Sequence, residues 1–156
     1  MKTLDLISRI TVYEDRSELP AEWLDLLEKA HEAAKKAYSP YSNFKVGAAV
    51  LLNNGEVITG NNQENASYPC GLCAERTALY YANAQHPNTP VEAIAIAAKN
   101  ADGFLKTPIT PCGACRQSLL ETENRFNQKI TVYLYGTEGI YRVDSIADLL
   151  PLQFTL

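Results

Sequence analysis

Two copies of one short pattern, Pro69-Cys70-Gly71-Leu72-Cys73 and Pro111-Cys112-Gly113-Ala114-Cys115, constrain this chain more than anything else in it. Each opens a run of helical spacing, and the first is followed at once by Ala74 and Glu75. Paired Cys-x-x-Cys units point to a disulfide framework, a redox couple or a metal site. Thiolates converging from two helix starts would hold a metal ion, with Glu75 facing it.

The compartment decides between these uses. The start, Met1-Lys2-Thr3-Leu4-Asp5-Leu6, has no sustained apolar run, and no stretch reaches membrane-spanning length, so the chain reads as cytoplasmic with no membrane partner. In a reducing cytosol a metal site is favoured over disulfides, and the carboxylate beside one unit favours metal over redox chemistry. The chain has 156 residues, 46% hydrophobic and 21% charged, which suits one domain spanning 1–156 with its own core. A formal charge of -4 and a pI near 5.2 offer no basic surface for a polyanion, which disfavours nucleic acid as partner and points to a small molecule.

Along the chain, Ile10 and Val12 alternate with polar neighbours and predict a short strand within Leu6 to Glu14. Ser17 or Pro20 introduces a helix whose stripe is Trp23, Leu26, Leu27, Ala30, Ala34 and Ala37, ended by Ser39-Pro40. His31 on that helix reads as structural. Phe44 to Leu52 and Val57 to Gly60 predict two strands joined at Asn53-Asn54-Gly55, a hairpin signal because asparagine and glycine tolerate positive φ. The polar loop from Asn61 to Tyr68 leads straight into the first cysteine helix, so it borders the same cavity, where a carboxylate and an amide could bond sugar hydroxyls. Further strands are predicted at Val91 to Ala98, Ile130 to Tyr135 and Ile140 to Val143, with helices from Cys73 and from the second cysteine pair, and a last short helix capped by Asp144 or Ser145. Strands interleaved with helices imply an α/β fold: a three-layer α/β/α sandwich with a mixed sheet of about five strands.

Spacing alone leaves two metal sites open. Four thiolates, Cys70 included, would make a closed structural centre and a non-catalytic zinc module; Cys73, Cys112 and Cys115 alone would leave a position for water. Glu75 tips the balance towards catalysis. A glutamate in a first helical turn has an ordinary use, as a charge near the positive end of the dipole. Yet Cys-Ala-Glu followed by Pro-Cys-x-x-Cys matches the zinc deaminase pattern, in which a glutamate that is not a ligand carries protons.

With these motifs the chain resembles the cytidine deaminases of the small, three-cysteine zinc type. The resemblance runs from about Pro20 to the C-terminus. It includes Tyr41-Ser42-Asn43-Phe44, Val46-Gly47-Ala48-Ala49, Asn62-Gln63-Glu64-Asn65-Ala66, Ala74-Glu75-Arg76-Thr77, Arg116-Gln117, and Leu149-Leu150-Pro151 with Phe154. It implies hydrolytic deamination of cytidine and deoxycytidine in pyrimidine salvage by a homotetramer with sites shared between subunits and one zinc ion per subunit. It further implies that Cys73, Cys112 and Cys115 bind the metal and that Glu75 moves protons among water, ring N3 and the departing amine. Asn62 and Glu64 would bind the ribose 3′-hydroxyl, and the Ala74 backbone would contact the base. Phe44 would line the pocket, while Tyr68 and Phe154 would reach a neighbouring subunit's site.

Arg76 is expected to bond the sulfurs, because three thiolates overcompensate a divalent ion; Arg116 and Gln117 share that argument in weaker form. The departures are Lys45 where relatives often have proline, the extra thiol of Cys70, an extension over residues 1–20, and a short tail after Phe154. Another nucleoside as substrate, a nucleoside antibiotic for example, is the alternative within the same chemistry.

Overall fold

A computed structural model describes all 156 residues. Its strands are β1 (Thr11–Tyr13), β2 (Lys45–Leu52), β3 (Val57–Asn61), β4 (Val91–Asn100), β5 (Gly103–Phe104), β6 (Thr131–Gly136) and β7 (Gly139–Val143), and its helices are α1 (Ala21–Lys35), α2 (Ala74–Gln85) and α3 (Gly113–Phe126). They form one sheet in the order β1-β7-β6-β4-β2-β3, with β5 paired to β4. The β4–β6 pair is parallel and every other pair antiparallel, so the sheet is mixed as the sequence implied. It has seven strands rather than about five, and β1 and β5 are only three and two residues long. The strand predicted within Leu6 to Glu14 is β1, while β5 carries too few residues for a period-two signal.

The two faces of the sheet differ in side-chain size. Val46, Ala48, Val50 and Leu52 of β2 and Ile94 and Ile96 of β4 meet α2 and α3 in one core cluster. On the other face Ala49, Ala93, Ala95 and Ala97 meet Leu26, Leu27 and Ala30 of α1. Full burial of Leu26 and Leu27 contributes about 2 kcal/mol each. With alanines beneath it, α1 comes down onto the sheet until a Cβ placed on Gly47 would lie 2.1 Å from the Ala30 carbonyl oxygen and 2.3 Å from the Ala34 nitrogen. Trp23 stacks on Tyr133 at 5.0 Å between ring centroids and closes the far end of this layer.

The hairpin between β2 and β3 is where the sequence placed it, with one difference. Gly55 alone takes positive φ (86°), and Asn54 instead accepts a bond from the Glu56 nitrogen through its side chain at 3.0 Å. That is a three-residue loop closed by a left-handed glycine, not the tighter two-residue turn. α1 ends at Lys35, two residues before the end of its apolar stripe at Ala37. The last predicted helix is a single 3-10 turn, Ile146–Asp148, in which the Ser145 hydroxyl accepts from the Ala147 nitrogen.

Topology brings the chemistry to one edge. β3 and β4 are both antiparallel to β2, hence parallel to each other, and β6 is parallel to β4. α2 follows β3 and α3 follows β4, both on the same face, so their N-termini start from the carboxyl edge of the sheet. β2 begins at that edge because it runs the other way, which places Phe44 there too. Crevices outside the carboxyl ends of parallel strands are the usual ligand sites of such sheets. No helix is long and apolar enough to cross a membrane.

Candidate metal centre and substrate cleft

Cys73 occupies the cap position ahead of α2 in extended conformation, and its carbonyl accepts bonds from the Thr77 nitrogen at 2.9 Å and the Thr77 hydroxyl at 3.0 Å. Cys112 caps α3, and Cys115 lies fully buried in that helix's first turn. The Sγ atoms of Cys73, Cys112 and Cys115 all fall within 4.8 Å of one another, and the Cys112–Cys115 separation is 3.5 Å. An ion bound tetrahedrally at about 2.3 Å from each sulfur requires sulfurs about 3.8 Å apart, so this trio fits zinc. Cys70 stays outside: it ends the 3-10 turn Tyr68–Cys70, is exposed, and its thiol reaches the Ser67 hydroxyl at 3.6 Å. The sulfurs therefore form an open three-thiol centre and not the closed four-thiol one.

The electrostatics of the cluster favour thiolate at Cys73. The Cys73 thiol is lowered to about 5, first by the Cys115 thiol donating to it and then by Arg76, while that same donation pushes Cys115 up. Arg76 Nη2 stands 3.7 Å from Cys73 Sγ, and its Nε is buried without a partner. The guanidinium sits where excess negative charge would gather. Two helix N-termini add positive potential on the same sulfurs.

Glu75 is the second residue of α2 and 5% exposed. Burial pushes its carboxyl above the usual range, the charge on Cys73 adds to that, and Arg76 acts against it. Ala74, beside it, is fully buried.

A cleft of about 430 Å³ opens next to Cys73, lined by Tyr41, Ser42, Asn62, Glu64, Asn65, Tyr68 and Leu72 among others. That volume lies within the range of small-molecule sites. Glu64 accepts from the Tyr41 and Ser42 nitrogens at 2.9 and 3.2 Å and from the Ser42 hydroxyl, and the Ser42 bond holds its carboxyl below the usual range. Asn62 acts on the backbone of β2: its Oδ1 accepts from the Val46 nitrogen at 2.7 Å and its Nδ2 donates to the Phe44 carbonyl at 2.9 Å. Nδ2 keeps a second N–H for a ligand.

Phe44 is half-buried and packs against the core cluster shared by α2 and α3. Tyr68 lines the cleft, 79% exposed, with its ring edge-on to Tyr41 at 6.5 Å. Phe154 does not reach the cleft of its own chain; it is exposed on the tail, and its carbonyl accepts from Gln117 Nε2 at 3.0 Å.

Ser42 and Arg116 make contacts at the site that spacing did not foresee, and a third residue, Glu123, is buried outside it. Ser42 fixes the Glu64 carboxylate, and its place beside Asn43 in a polar turn was the available signal. Arg116, read from spacing only as a weaker Arg76, turns away from the sulfurs and bonds Pro111, Thr110 and Leu149. Glu123, buried in α3, accepts from the Ile130 and Ile146 nitrogens at 2.8 and 2.9 Å and from the Ser145 hydroxyl at 3.0 Å. No local pattern distinguishes it from a surface glutamate.

Known proteins share these features. Residues 22–130 match the family described as the cytidine and deoxycytidylate deaminase zinc-binding region. The chain is similar to a cytidine deaminase of Halalkalibacterium halodurans, 43% identical over 130 residues that cover 83% of this chain and 92% of that one. It is 38% identical to a cytidine deaminase of Sporosarcina psychrophila over 83% of this chain and 89% of the relative. Among solved structures it is similar to a cytidine deaminase from Burkholderia pseudomallei, with a TM-score of 0.71 and 46% identity, covering 84% of this chain and 98% of that one. A cytidine deaminase from Mycobacterium tuberculosis gives a TM-score of 0.68 at 34% identity, covering 88% and 100%.

Proposed function

The chain belongs to the zinc-binding cytidine and deoxycytidylate deaminase family, and from that premise we propose that it hydrolyses the exocyclic amine of cytidine and deoxycytidine, giving uridine and deoxyuridine. The observation that carries this is the gathering of three thiols, not four, beside a buried carboxyl. Cys73, Cys112 and Cys115 would hold one zinc ion per subunit. When bound, that ion supplies a Lewis acid able to bring the pKa of a water down to about 7.

The chain's own groups do the rest. Glu75, shielded from solvent, takes a proton from the attacking water and gives it to ring N3 so that C4 becomes more electrophilic, then takes the remaining proton from the new hydroxyl on C4 and gives it to the departing amine. A C–O bond forms at C4, the C–N bond breaks, and ammonia leaves. A single carboxyl can serve all of these transfers because water, N3 and amine lie around one ring edge. Arg76 offsets the excess charge of the thiolates. Asn62 and Glu64 would bind the ribose 3′-hydroxyl: Glu64 is held ionised by Ser42, so it can accept, and Asn62 has an N–H to donate. The Ala74 backbone would contact the base, Phe44 would line the base pocket, and Tyr68 and Phe154 would extend to a neighbouring copy in a homotetramer. The exposure of both rings supports that last assignment.

We place the enzyme in the cytoplasm, in pyrimidine salvage, as one deaminase domain with residues 1–20 as an extension. An ultraviolet assay of cytidine, deoxycytidine and free cytosine, with metal analysis of the same sample, tests the proposal. Turnover of both nucleosides with about one zinc per chain is expected. Equal turnover of free cytosine would remove the sugar-binding role of Asn62 and Glu64, and no turnover by zinc-loaded protein would overturn the substrate.

A further inference from the structure

The three sulfurs are not held alike. Cys115 is buried inside α3, and Cys73 is tied through its carbonyl by two bonds from Thr77. Cys112 is exposed, its carbonyl accepts only the Arg116 nitrogen at 2.9 Å with no second bond like that of the Thr77 hydroxyl, its thiol meets only the Cys115 sulfur at 3.5 Å, and it is followed by Gly113, around which there is open space. Packing therefore does little to fix where its sulfur points. The peptide plane joining it to Pro111 does more, since that plane sets the direction of the Cys112 Cα–Cβ bond.

Arg116 grips that plane. Its Nε donates to the Pro111 carbonyl at 2.8 Å, its Nη2 to the Thr110 hydroxyl at 2.9 Å, and its Nη1 to the Leu149 carbonyl at 2.7 Å. Leu149 closes the 3-10 turn Ile146–Asp148 and is buried in the core cluster, so the far end of the grip is anchored. The next residue of α3, Gln117, holds the tail again at the Phe154 carbonyl.

We propose that Arg116 is a positioning residue for the metal centre, a rigid fork through which the C-terminal segment from Leu149 to Phe154 keeps Cys112 where it can share an ion with Cys73 and Cys115. The inference rests on the zinc reading of that trio. A guanidinium offers its donors in one fixed plane, and lysine, with the same charge, cannot span three acceptors in this way. The tail thereby acts on the metal from the far end of the sequence, with no ligand of its own.

The test uses the full, zinc-loaded protein, with zinc release to a chromogenic chelator as the readout and the thiolate-to-cobalt absorption of the cobalt-substituted protein as a second. Arg116→Lys and Arg116→Gln are expected to release zinc roughly tenfold faster, with an altered cobalt band. Ending the chain after Asp148 should accelerate release by a similar factor, and adding Arg116→Gln to that truncation should change little more, because both break one linkage. Glu123→Gln loosens the same turn from the other side without touching Pro111, and should lower Tm while leaving release and the cobalt band unchanged. Release from Arg116→Lys at the parent rate would overturn the proposal, as would equal acceleration by Glu123→Gln, which would mark a general loss of stability. A parent protein that takes up no zinc would instead overturn the metal reading itself.

Discussion

Replacing Glu75 by glutamine separates catalysis from structure in this site. The substitution keeps the shape of the side chain and removes its ability to carry a proton. Glu75 is 5% exposed, and burial already disfavours its charge, so a neutral amide in that place costs the fold little. It also lies outside the cluster of three sulfurs, so zinc should stay. The rate is another matter. A positioned general acid or base contributes about 10²–10⁴ to a single transfer, and here one group is assigned every transfer. A loss of about 10⁴ in kcat is therefore expected, equivalent to about 5 kcal/mol of transition-state stabilisation at 1.36 kcal/mol per decade. KM for cytidine should change little, because the sugar contacts assigned to Asn62 and Glu64 are untouched.

The assay is the fall in ultraviolet absorbance as cytidine is consumed, with zinc content and Tm measured on the same preparation. Turnover within tenfold of the parent, with zinc in place, would refute the proton-carrying role. Loss of zinc at parent-like Tm would refute the placement of Glu75 outside the ligand set.

Other expectations follow from single contacts. Cys70→Ser should keep zinc and activity, since its thiol meets only Ser67, whereas Cys115→Ser should lose most of its zinc; equal zinc contents by metal analysis would contradict the three-thiol centre. Gly47→Ala places a methyl 2.1 Å from the Ala30 carbonyl oxygen, and neither backbone can yield without lifting α1, so a destabilisation of about 3 kcal/mol or more is expected in urea unfolding; a loss under about 1 kcal/mol would mean that α1 rides higher on the sheet. His31 stacks on Phe104 at 3.5 Å, and burial lowers its pKa below 6.5, outweighing the opposing pull of Glu28. The folded state thus binds that proton less tightly than the unfolded state, so stability is held above the unfolded pKa and lost as pH falls below it. His31→Phe should show a smaller drop in Tm between about pH 7.5 and about pH 5.5, and an unchanged drop would refute the burial argument.

What could be read from the sequence, and what could not, divides along one physical line. The gathering of Cys73, Cys112 and Cys115 with Glu75 beside them was legible because the motifs sit within a few residues of helix starts, and the α/β alternation was legible because periods of 2 and 3.6 are local. The choice between three and four thiols was not legible from spacing, which both units share, and only Glu75 and the resemblance pointed to three. It is decided by the 3-10 turn at Tyr68–Cys70, which leaves Cys70 exposed while Gly71 and Leu72 carry the chain on to Cys73. β5 was beyond reach for want of length, whereas the alternation of Ile10 and Val12 had already marked β1. Arg116 and Glu123 were beyond reach because their partners, Leu149 for the one and Ile130, Ser145 and Ile146 for the other, come together only through the return of the chain along β6 and β7.

The same division separates two kinds of defect. A change at a locally encoded residue such as Cys115 or Glu75 alters what reacts. A change at Arg116, or in the tail that it grips, leaves every reacting group present and alters where one sulfur stands. Because metal affinity depends on all three sulfurs meeting one point, a displacement of that kind should reach activity through lost zinc, and added zinc should restore it. Added zinc cannot restore a protein that lacks the Glu75 carboxyl. Zinc rescue therefore distinguishes the two classes without any knowledge of the bound geometry.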